Sequence, residues 1–180
     1  MILGMLISMM VLTNCDSSQC MKDYYTTNKD SLVEIRRLSQ TLAGNYDFQV
    51  VTIIKKRGQV ELGFDGEIGA ASMYLNPSDL SLIHEFPNSK CSPEELQRFR
   101  TMYQDNDLRE ILNLFEAIEP KAITISHGGV FVALGKTLQS PNPNLKGGIL
   151  MTYEPEPSNS HSRIVEQIDT NVYLYDDLVY

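Results

Sequence analysis

The chain has 180 residues, 42% of them apolar and 21% charged, the balance of an ordinary globular protein with length for one domain. Its formal net charge is −8, and the stretch from Asp79 to Glu119 is the most acidic, with nine acids against four bases. That balance lacks the basic footprint that phosphate binding needs, so nucleic acid is excluded as the expected partner, whereas a basic protein would be attracted.

In chain order, Ile2 to Leu12 is apolar except for Gly4 and Ser8. Such a run is too short to cross a bilayer, which takes about 20 helical residues. Its length fits the apolar core of a secretory signal peptide. Leu12-Thr13-Asn14-Cys15 then resembles the lipobox of bacterial lipoproteins. Asn14 stands where Gly, Ala or Ser is usual, and no Lys or Arg precedes Cys15. The resemblance implies that residues 1–14 are a cleaved signal peptide and that Cys15 is the lipidated first residue of the mature chain. It further implies a bacterial cell-envelope address, with the domain held at the membrane on the periplasmic or outer side. Residues 15–27 read as a lipidated, polar N-terminal tether. With Cys15 acylated, Cys20 and Cys91 remain as a candidate disulfide closing a loop of about 70 residues, with two free thiols as the alternative.

Residues 28–180 read as a single globular α+β domain. Ser31-x-x-Glu34 is a capping box, and Leu32, Ile35, Leu38 and Leu42 form one apolar stripe, so a helix is expected over Ser31 to Ala43. Phe48 to Ile54 is a β-branched strand. It turns at Lys55-Lys56-Arg57-Gly58 into the alternating Val60 to Phe64. The three cations of that turn invite an anionic surface, although a solvated turn has the same composition. Ile68 to Leu75 is a candidate third strand, and Leu80 to Phe86 is ambiguous. Ser92-Pro93-Glu94-Glu95 starts a helix carrying Leu96, Phe99 and Tyr103. After Asp105-Asn106-Asp107 a second helix carries Leu108, Ile111, Leu112, Phe115 and Ile118. Strands follow at Ala122–Ser126, Val130–Leu134, Gly148–Tyr153 and Asn171–Tyr175, while Ile164–Ile168 is a strand or a short helix. Grouped strands and grouped helices predict an α+β fold with a mainly antiparallel sheet of about five to seven strands and about three helices packed on it.

Catalytic and metal-binding patterns are sparse. Gly129 to Gly135-Lys136-Thr137 has one residue too many for a phosphate-binding loop. His84, His127 and His161 fall at no metal-ligand spacing, so no metal and no cofactor is expected. Glu94-Glu95 is explained by the helix start, and Asp176-Asp177 by solvation. Tyr153, Tyr173 and Tyr175 form a candidate binding face, the last two by their period of two. No residue is assigned to catalysis. The expectation is a lipid-anchored binding module, in special form inhibitor- or immunity-like toward a basic protein. The alternative is a small secreted hydrolase using His127 with a nearby carboxylate.

Overall fold

The computed structural model describes residues 18–134, 147–154 and 163–176. The leader, Cys15, Gly135-Lys136-Thr137, His161 and Asp177 lie outside the described residues. Helices α1 (Ser18–Thr27) and α2 (Lys29–Asn45) come first. A meander follows, β1 (Val50–Lys56), β2 (Gln59–Asp65), β3 (Ala70–Leu75) and β4 (Leu82–Pro87). Then come α3 (Pro93–Tyr103) and α4 (Asn106–Ile118). The chain continues through β5 (Ala122–Ser126), β6 (Gly129–Ala133), β7 (Gly148–Thr152), β8 (Arg163–Asp169) and β9 (Val172–Asp176). All nine strands join one sheet in the order β4-β3-β2-β1-β5-β6-β7-β9-β8, and every pairing is antiparallel.

The α+β class and the antiparallel sheet agree with the sequence reading. The described residues hold nine strands and four helices, more than the expected five to seven and three. The extra helix is α1. It replaces most of the tether expected over residues 15–27, because Met21, Tyr24 and Tyr25 turn inward at helical spacing and are buried. Helix α2 starts two residues before the expected Ser31, and its N-cap Asn28 sends its side-chain amide back to the Tyr24 carbonyl instead of capping. The ambiguous Leu80–Phe86 stretch is edge strand β4, and Ile164–Ile168 lies in edge strand β8.

One face of the sheet makes the core. Across the strands run Phe64–Val51–Ile125–Val130–Met151–Val172 and Leu62–Ile53–Ile123–Val132–Ile149–Leu174, all buried. Period-two alternation puts these residues on one side of the pleat. Side chains of three helices reach sheet positions of that same parity. Phe99 stacks on Phe64, Arg100 pairs with Glu85, Glu116 with Lys55, Lys22 with Glu166, and the Tyr25 hydroxyl bonds Asp169. Helix α2 packs along α4 and lends Leu32, Ile35, Leu38 and Leu42 to the same core. The described residues therefore form two layers, four helices on one face of a nine-stranded sheet.

The start of α3 fastens the hairpin turn between β2 and β3. Ser92 and Glu95 form a capping box, and the second function of Glu95 is to accept backbone N–H groups from Ile68 and Gly69 at 3.3 Å. These bonds hold its carboxyl below the usual carboxylate range, the Ser92 amide contributing most. A Cβ at Gly69 would collide with the backbone of Cys91. Ser92→Ala is expected to cost about 1 kcal/mol in urea melts, the usual worth of an N-cap. Gly69→Ala is expected to cost more than that, since backbone and not a flexible side chain must yield.

Candidate functional site

The second face of the sheet has no described helix over it. Two rows of side chains cross it from β1 to β8. One is Thr52–Thr124–Phe131–Leu150–Tyr173–Gln167, and the other is Ile54–Ala122–Ala133–Gly148–Tyr175–Ile164. Neither row carries a charge. Gly148 has no room for a Cβ, because the Val132 carbonyl oxygen blocks that position and the Phe131 ring also lies 2.8 Å from where the atom would stand. The same ring meets Tyr175 edge-on at 5.2 Å. Ile54, Thr124, Phe131, Leu150 and Tyr175 are half-buried, and Ile164 is exposed.

Beyond β1 this face becomes polar at Glu61, which accepts from Lys56 and Ser72, and then aromatic. Tyr74 and His84 stack at 4.6 Å, and Phe86 stands edge-on to both. Phe86 is 60% exposed, with Leu82 and Ile83 also open beside it on β4.

The structure gives Tyr173 and Tyr175 the same parity on the sheet, as their spacing predicts, but Tyr173 is buried and Tyr175 alone of the two is half-exposed, and Tyr153 is separated from both. Tyr153 has the opposite parity. Its hydroxyl is buried between the sheet and α2, near the Ser39 hydroxyl but without hydrogen-bond geometry. Burial pushes its pKa well above the usual tyrosine value.

The expected Cys20–Cys91 bridge is not formed. Cys91 is a free thiol, half-buried at the start of α3, while Cys20 is disulfide-bonded elsewhere. The sheet explains the separation. Cys20 belongs to α1, which packs on β7 and β9, whereas Cys91 abuts Gly69 beside β3. Five or six strand spacings, about 25 Å, part them, against the 4.4–6.8 Å between Cα atoms that a disulfide allows.

His127 occupies the β5–β6 turn, exposed, with its ring stacked on Phe48 at 5.1 Å. It makes no hydrogen bond with a carboxylate among the described residues. Among those residues no three His, Cys, Asp or Glu side chains gather at metal-binding distance.

The acids of the middle stretch serve mainly as architecture. Asp79 bonds Ser81, Glu85 holds Arg100, Glu95 and Asp105 cap helices, and Glu116 holds Lys55. Around the β2–β3 turn, Asp65, Glu67 and Glu94 stay exposed and form no ion pair among the described residues.

Sequence reasoning missed a cleft of about 400 Å³ between α1 and β8. Lys22, Tyr25, Thr26 and Lys29 form its helical wall, and Glu166 to Asp169 the other. The spacing 22, 25, 26 is a face of α1, and Lys29 joins it from the first position of α2; that short helical spacing is the signal in the sequence that could have shown it. Its charges satisfy one another. Lys22 meets Glu166 at 2.7 Å, and Lys29 meets Asp169 at 2.6 Å. The Tyr25 hydroxyl donates to Asp169 at 2.9 Å. This seam docks α1, with Tyr24 donating to the Ile118 carbonyl at 2.9 Å from its other side.

Lys29, the Thr170 amide and Tyr25 together depress the Asp169 pKa from 3.8 to about 2. Burial and that carboxylate raise Tyr25 to about 12. A carboxylate with a depressed folded-state pKa stabilises above its unfolded value and loses that contribution as pH falls through the folded one. Asp169→Asn is therefore expected to lower the melting temperature at pH 7. It should also flatten the fall in melting temperature between about pH 4 and pH 2 relative to the parent chain.

No helix among the described residues is long and apolar enough to cross a membrane. No family model, no curated protein and no solved structure matches this chain.

Proposed function

We propose that this chain is a lipid-anchored protein of the bacterial cell envelope, held through Cys15, that works as a binding module through the open face of its sheet. The observation that carries the binding role is the set of uncharged, half-buried positions on that face, Ile54, Thr124, Phe131, Leu150 and Tyr175, while the described helices are all committed to the other side. Apolar surface in contact with water is a recognition resource when it is contiguous. Aromatic side chains such as Phe131 and Tyr175 supply large contact area at low entropic cost. The exposed Asp65, Glu67 and Glu94 support a basic protein as partner, by steering its approach. An inhibitor- or immunity-like role is the specific form of this reading. Hydrolysis by His127 gains nothing from an imidazole held by Phe48 instead of by an acid.

The address rests on the lipobox resemblance of Leu12 to Cys15. Intact-mass analysis of the membrane fraction is expected to show a chain that starts at Cys15 and carries lipid. A sulfur alkylated by diacylglycerol has no thiol left for a disulfide, so the same spectrum reads the Cys15 and Cys20 states together. A soluble, full-length chain would remove the anchor from the proposal. For the binding role, a photoreactive amino acid in place of Tyr175 is expected to give a discrete cross-linked species in the native cells. The same probe in place of Gln40, on the exposed side of α2, should give none. Equal labelling from both positions would count against the open face.

A further inference from the structure

The chain holds three cysteines, Cys15, Cys20 and Cys91. Cys20 is disulfide-bonded, and Cys91 is a free thiol. A disulfide within one chain takes two of these sulfurs. With Cys91 set aside, the sulfur left to pair with Cys20 is that of Cys15, the one that the lipobox resemblance gives to lipid.

Cys91 stays out for two physical reasons. The sheet holds it about 25 Å from Cys20. Its sulfur is also a weak nucleophile. The thiol is half-buried and donates to the Ser92 carbonyl at 3.7 Å. Burial, then the carboxylates of Glu95 and Glu85, push its pKa up and keep it protonated, whereas exchange with another disulfide needs the thiolate.

Cys20 is held in place. It stands in the first turn of α1, half-buried and packed against the core. The next residue, Met21, meets Gly147, and Tyr24 and Tyr25 fasten the helix to the Ile118 carbonyl and to Asp169. Only Asp16, Ser17, Ser18 and Gln19 stand between Cys15 and Cys20. Asp and Ser favour turns, and the cost of bringing two residues together grows with the chain between them, so this pairing needs far less closure than one with Cys91.

We propose that Cys15 and Cys20 form a disulfide that competes with lipid for the Cys15 sulfur, so that the redox state of this pair decides whether the chain is anchored. The competition rests on the proposed lipid anchor, and the pairing does not. In an oxidising export compartment the bond forms by thiol–disulfide exchange. Cys15 and Cys20 give up two thiol protons and two electrons, and the disulfide of a protein thiol oxidant takes them up as two thiols. Acylation instead needs the reduced sulfur, which forms a carbon–sulfur bond with a diacylglyceryl donor and releases its proton. A sulfur committed to one product cannot enter the other.

The test takes the full chain from its native cells, quenched in acid and labelled with N-ethylmaleimide under denaturing conditions. Chain without lipid is expected to carry the label on Cys91 alone, and to yield a reducible peptide that links Cys15 to Cys20. Acylated chain is expected to carry the label on both Cys20 and Cys91. Cys20→Ser should raise the acylated share at the expense of the free one, as should dithiothreitol given to cells that make the parent chain. Dithiothreitol should add nothing to Cys20→Ser, and Cys91→Ser should leave the share unchanged. A peptide linking Cys20 to Cys91, or label on both Cys15 and Cys20 in chain without lipid, would overturn the pairing. An acylated share indifferent to both Cys20→Ser and dithiothreitol would overturn the competition. If no variant carries lipid, the anchor fails and takes the competition with it, while the linked peptide still decides the pairing.

Discussion

The antiparallel pairing of β1 with β5 is the contact on which the rest of the structure depends. It joins two meanders, β1–β4 and β5–β9, that would otherwise be separate sheets. Five residue pairs, Val50–Ser126 through Ile54–Ala122, set the phase of both halves. A slip of one residue would turn the inner rows of one half outward. Helices α3 and α4 make the pairing reachable, because they carry the chain from the β4 edge back to the middle of the sheet. Their apolar stripes then cover the inner face they have just crossed.

Most of this fold was legible because local signals and tertiary roles coincide. The α3 start needs Ser92, Pro93 and Glu95 for its own cap, and the same Glu95 fastens a hairpin turn. The β5 and β6 strands are β-branched runs with buried alternate positions. Helix α1 was illegible for the opposite reason. Its buried residues, Met21, Tyr24 and Tyr25, fill little more than one turn, and two of them are Tyr. Only contacts distant in sequence, Tyr24 to Ile118 and Tyr25 to Asp169, show why it is helical. Strand β4 was ambiguous because it is an edge strand whose Leu82, Ile83 and Phe86 stay exposed, so no burial alternation marks it.

The candidate surface was half legible. Period two put Tyr173 and Tyr175 on one face, but sequence does not say which face the helices take. Tyr153 sits one step past the end of β7 with the other parity, and adjacency in sequence concealed that. The disulfide pairing failed for a similar reason: counting cysteines is blind to the width of a nine-stranded sheet. The acidic middle stretch, whose charge would attract a basic partner but also suits a solvated helix face, consists mostly of caps and ties among the described residues.

That width has a consequence for recognition. Strands in a sheet turn by about 20° relative to each neighbour. Eight steps separate β4 from β8, so the outward normal at one edge and at the other differ by well over a right angle. The Tyr74–His84–Phe86 group and the Phe131–Tyr175 group thus belong to one pleated face in topology and to two directions in space. A rigid, flat ligand meets one or the other, and a binder that engages both has to wrap.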